Sequence, residues 1–149
     1  MPISPFRDLP TLLALSHPHI DEVRERMNSL AAGLAEHPER ATDLDPAAAA
    51  HLIRYLLSAA CEAQNSLNIE LGRAGLVALP REWLLARIEP HLEPLFAADD
   101  DWEYRRMVEV AHLLDPGLTR KLIDRGLESA NPDIRKAAED WAEYLRRDP

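Results

Sequence analysis

Asn131-Pro132-Asp133-Ile134-Arg135-Lys136-Ala137-Ala138-Glu139 repeats, thirty residues on, the pattern of Asp101-Trp102-Glu103-Tyr104-Arg105-Arg106-Met107-Val108-Glu109. Each stretch runs cap residue, spacer, acid, bulky apolar, Arg, base, two apolar residues, Glu. A period in this range marks stacked helical units, each burying its apolar stripe against its neighbour. It predicts a right-handed stack of antiparallel helix pairs over at least residues 101–146.

Around these two runs the helix signals continue. After Asp101, the apolar residues Tyr104, Met107, Val108, Ala111 and Leu114 fall on one helical face. Asp115-Pro116 opens a second helix with Leu118, Leu122 and Ile123 inward, and Gly126 is placed to end it in the left-handed conformation, with Leu127 folding back. Asn131 caps a third, whose Ile134, Ala138, Trp141 and Leu145 recur at 4, 3 and 4 residues, with Arg146-Arg147 at its negative pole.

Upstream, Asp45-Pro46 starts a helix facing Ala49, Leu52, Ile53, Leu56, Leu57 and Ala60 inward, and Ser16 is the better cap beside His17-Pro18. The helix after Pro18 is expected to run until just before His37-Pro38. Gly72 and Gly75 either weaken a helix over 65–79 or permit a close crossing. Pro90 and Pro94 are expected to divide the segment after Pro80 into short turns. In all, the spacing predicts six or seven helices in one domain over residues 1–149.

The Asn131–Ala138 run resembles the opening of a HEAT or HEAT-like repeat, whose first helix starts Asp-x-apolar-Arg-x-(Ala/apolar)-Ala. Asp101–Val108 is similar, with Tyr104 for the small aliphatic and Met107-Val108 for the alanines. The resemblance spans roughly residues 100–146. Over 1–100 it fades: near Ser16–Ile20, Glu22 and Val23 stand where the Arg and its neighbour belong, so that half is diverged repeats or a helical cap. The resemblance implies an all-α fold, a short HEAT-like α-solenoid of antiparallel pairs. It also implies that Arg105 and Arg135 tie neighbouring repeats together through an acid, Asp140 or Asp133.

Composition narrows the function classes. Twenty-six acids against 17 bases give a formal net charge of −9. Such a surface works against the counterion release that drives most nucleic-acid binding. Lys121 and Lys136 are the only lysines, and the preponderance of Arg, Ala and Pro suggests a GC-rich bacterial genome. Cys61 stands alone, excluding an intrachain disulfide and fitting a cytoplasmic setting. Met1–Pro10 shows no leader pattern, and no apolar run reaches the roughly 18 residues of a membrane span.

Catalytic and metal constellations are weak. Glu109 and His112 share a helix face as in di-iron bundles, but no other His has Glu three residues before it. His17 and His19 flank Pro18 without a carboxylate cluster, and Cys61 has no adjacent base. No nucleophile elbow or phosphate loop is present. No catalytic residue, cofactor or metal is assigned.

The acidic block carries the functional expectation. Between Arg87 and Arg105 there is no base, while Glu89, Glu93, Asp99, Asp100, Asp101 and Glu103 accumulate around Trp102. The structural alternative is a solvated loop whose Asp101 caps a helix. The functional reading takes Asp99, Asp100, Trp102 and Glu103 as a patch binding a basic protein partner, with Trp102 as anchor. Trp83 and Trp141 fall on apolar stripes and are expected in the core. The chain thus reads as a non-catalytic protein-binding module with an acidic surface, a toxin-neutralising immunity protein or an adaptor. No nucleic acid or membrane is expected as partner, and oligomeric state is not readable. The alternative is a helical-repeat enzyme or nucleic-acid-binding protein such as a HEAT-like DNA glycosylase, which needs Arg105, Arg106, Arg120, Arg125 and Arg135 on one face.

Overall fold

Side-chain caps start most of the longer helices, four of them followed at once by proline. The computed structural model describes residues 5–148, so the first four residues of the Met1–Pro10 stretch lie outside it. Among the described residues regular structure is entirely helical. In chain order come α1 (Leu9–Leu13), α2 (Pro18–Leu30), a 3-10 turn (Pro38–Asp43), α3 (Pro46–Cys61), α4 (Ser66–Ala78) and α5 (Arg81–Leu85). They are followed by α6 (Glu89–Ala97), α7 (Asp101–Leu114), α8 (Pro116–Leu127) and α9 (Pro132–Arg147). These ten segments exceed the six or seven expected, because α1, α5 and the 3-10 turn are too short to display a period. No helix is long and apolar enough to cross a membrane, among the described residues.

Asp45 accepts from the Ala48 N–H at 2.8 Å, Asp115 from Leu118 at 2.9 Å and Asn131 from Asp133 at 2.9 Å. Each such cap contributes about 1 kcal/mol by satisfying an otherwise orphaned donor. Two expected caps are corrected. For α2, the His17 Nδ1 accepts from the His19 N–H at 3.1 Å, so the ring replaces Ser16 in that role. For α7 the cap is Asp100, which accepts from the Glu103 N–H at 3.0 Å, and Asp101 is the first helical residue.

The described residues divide into two compact units, 5–91 and 92–148, the division falling inside α6. In the first, α4 packs closely on α3, their backbones nearest at Gly72. A Cβ at Gly72 would stand 2.4 Å from the Ala60 nitrogen and 2.7 Å from the Leu56 oxygen. A Cβ at Gly75 would stand 2.8 Å from the Leu56 side chain. The close crossing, and not a weakened helix, is what these glycines serve. α1 and α2 cover the pair, and Arg7 grips Glu70 of α4 through two side-chain bonds of 2.7 and 2.9 Å. α2 stops at Leu30, earlier than expected. Gly33, at φ +75°, turns the chain, and Leu34 is buried outside the helix. The Asn28 side chain holds that loop by accepting from the Ala35 N–H at 2.9 Å.

In the second unit α7, α8 and α9 pack on one another. Tyr104, Met107, Val108 and Ala111 of α7, Leu122 and Ile123 of α8, and Ile134, Ala137, Ala138 and Trp141 of α9 are buried there and make up the core. The echoed runs therefore bury matching positions, Tyr104 with Ile134 and Met107-Val108 with Ala137-Ala138. Their caps, Asp100 and Asn131, are 31 residues apart and slip by one from that register. Gly126 does not terminate α8 in the left-handed region. It lies within the helix under Tyr104, and Leu127 beyond it is 40% exposed instead of folded back. α6 likewise continues through Pro94, which forfeits one helical hydrogen bond without ending the helix.

Candidate interaction surface

The corner between α6 and α7 is held from three sides. Asp99 has φ +55°, unique among the described non-glycine residues, and its carbonyl accepts from the Asn131 side-chain amide at 3.0 Å. The same amide contacts the Asp99 carboxylate at 3.3 Å. Asn131 thus caps α9 with its oxygen and anchors the corner with its nitrogen. Asp100 then caps α7, and one turn of helix places Trp102 at its second position.

Trp102 is 65% exposed, whereas Trp83 and Trp141 are buried at 8% and 0%. The expected contrast between the three tryptophans is therefore present. Asp99 and Asp100 are exposed beside Trp102, while Glu103 is half-buried on the helix. Glu103 is thus less available than the sequence reading requires. Other acids of the block are engaged. Glu93 takes Arg125 in two bonds of 2.6 and 2.8 Å, and that guanidinium holds its carboxyl below the usual range. Arg125 also lies 3.9 Å above the Phe96 ring centroid.

Arg105 sits 3.8 Å from Asp101 on its own helix and 3.8 Å from Asp140 of α9, the first of the two acceptors considered. Lys136 reaches the same Asp140 at 2.7 Å. Arg135 does not repeat this role: its guanidinium donates to the Ser129 carbonyl at 2.7 Å. Among the arginines needed for a nucleic-acid face, Arg105, Arg125 and Arg135 thus hold protein acceptors.

The weaker constellations also have places. His112 lies against Trp141 and Tyr144, with ring centroids 5.6 and 6.1 Å apart, as part of an aromatic cluster. His17 is occupied as a cap, and Cys61 is buried. Among the described residues no three His, Cys, Asp or Glu side chains converge as a metal site would require.

One feature escapes the sequence reading. α7, α8 and α9 wall a groove of about 530 Å³ whose floor is Ile123, Leu127, Ala142 and Leu145, with His112 and Pro116 at its side. Leu145 belongs to the predicted inward stripe, and stripe positions are read as core by default. The available signal was the edge position of Leu127 and Leu145, each followed directly by charged residues.

No protein-family model matches this chain, and no curated protein or solved structure shows significant similarity to it.

Proposed function

We propose that this chain is a non-catalytic protein-binding module that docks a basic partner on the acidic corner at the start of α7. Trp102 is the anchor, with Asp99 and Asp100 beside it and Glu103 at the edge. The carrying observation is the exposure of Trp102 on a corner whose backbone is fastened by Asn131 and Asp100. Covering an exposed aromatic ring with a partner would remove apolar area from water, and a braced corner loses little entropy on binding. Trp is also the side chain most concentrated at binding hot spots.

The surrounding charge favours a cationic partner and would speed its encounter by steering. α7, α8 and α9 serve in this reading as a short HEAT-like stack that presents the corner. An immunity protein facing a basic toxin, or an adaptor, fits such a module. The test is affinity capture from host extract at low salt with wild type and Trp102→Ala side by side. A basic protein retained by the wild type and lost by the variant is expected. Identical proteins on both baits would overturn the proposal.

A further inference from the structure

The groove of the α7–α8–α9 unit has an apolar floor and a rim of balanced charge. Leu127 in its floor is 40% exposed. The rim carries Arg120 and Arg146 together with Asp124 and Asp148, two charges of each sign, on a chain whose net charge is −9. We propose that this groove is a self-association surface, through which two copies of the chain pair about a two-fold axis. Each copy sets its Leu127 against the groove of the other.

Charge identifies the occupant. Two molecules of net charge −9 repel where acidic surfaces meet, so a locally balanced patch is where a copy meets least repulsion from its like. A partner of one sign would leave half of the rim facing like charge. A second copy, rotated by the two-fold, brings Arg120 against Asp124 and Asp124 against Arg120, as a self-complementary interface requires.

Among the described residues neither of these two side chains forms an ion pair. They lie four apart on α8 with the cation first, the poorer order for a pair within a helix. They make no ion pair with each other, whereas Lys136–Asp140 on α9 has the same spacing and order and does pair. Arg146 is engaged with Glu143 of its own helix, so Arg120 and Asp124 carry the recognition. The groove lies beyond the middle of α7, about 15 Å along the helix axis from Trp102 to His112 at 1.5 Å per residue. It is thus separate from the acidic corner.

Sedimentation equilibrium of the full chain near physiological ionic strength tests this. A reversible monomer–dimer equilibrium with a dissociation constant of about 1 mM or tighter is expected. Leu127→Glu, Arg120→Asp and Asp124→Arg should each weaken it by about tenfold or more, the effect of removing an apolar contact or opposing like charges. Circular dichroism melts should stay near wild type, since all three positions are exposed.

The decisive arm mixes Arg120→Asp with Asp124→Arg. One copy then presents only acids at these positions and the other only bases, so a heterodimer should form where neither variant pairs with itself. A wild type monomeric at millimolar concentration would overturn the proposal. So would charge variants that associate as the wild type does, or a mixture that fails to recover the dimer. Loss of association in Trp102→Ala would also overturn it, by moving the contact to the acidic corner.

Discussion

Tyr104 of α7 spans the gap to α8 directly over Gly126: its hydroxyl donates to the Leu122 carbonyl at 2.9 Å, and a Cβ on Gly126 would stand 2.1 Å from the tyrosine hydroxyl oxygen. The phenol fits only because position 126 has no side chain. Gly126→Ala should therefore cost about 1–3 kcal/mol by overpacking, despite the higher helix propensity of alanine. Thermal unfolding measures it. A stabilised variant would mean that Tyr104 can swing aside freely.

The same tyrosine makes the fold sensitive to alkali. Burial, with the charge of Asp124 adding to it, raises the Tyr104 pKa well above the ordinary phenol value. Its native state keeps the proton while the unfolded chain begins to ionise near pH 10. The unfolded state then binds fewer protons, so stability falls as pH rises through that point, and the contribution is fully present below it. Denaturant titrations from pH 8 to 11 should show a steeper decline for wild type than for Tyr104→Phe. Parallel curves would place the alkaline sensitivity elsewhere.

Trp141 is fully buried on α9, with Tyr144 and His112 around it, and among the described residues its ring nitrogen finds no hydrogen-bond partner. Trp141→Ala should cost ~3–5 kcal/mol, the range for large aromatic truncations in cores. A loss below about 1 kcal/mol would show that α9 contributes little to the fold.

The acidic corner separates stability from binding. Asp100→Ala removes the α7 cap and should cost about 0.5–2 kcal/mol. Trp102→Ala, at an exposed position, should leave stability within about 0.5 kcal/mol. It should also remove the acrylamide-accessible part of the tryptophan fluorescence, since Trp83 and Trp141 are buried. A large stability loss in Trp102→Ala would make the residue a packing element and not an anchor.

Much of the C-terminal unit was legible because its helices are strongly amphipathic. The 4, 3, 4 recurrence of Ile134, Ala138, Trp141 and Leu145 can be buried only by a helix. The cap of α7 was misplaced by one residue because Asp99, Asp100 and Asp101 are equivalent as letters. Only the backbone, turned at Asp99, decides which carboxylate meets the Glu103 N–H. Gly126 was misread for a related reason: a glycine near a helix end signals a terminator locally, and the aromatic ring it accommodates lies 22 residues earlier. The exposure of Trp102 could be read from its neighbours. The groove could not, since it is bounded by three helices and no single stripe records it.

The notch at Gly72 bears on the order in which the chain organises itself. α3 and α4 adjoin in sequence, joined by the short link 62–65, so bringing them together closes a small loop at little entropic cost. At Gly72 their backbones then meet with no side chain of α4 in the way. The α3–α4 hairpin is thus suited to be the first tertiary contact made and the last released, with its central amides the slowest to exchange with solvent. If that hairpin is the first contact made, a bulkier residue at position 72 would delay folding as well as weaken the folded state.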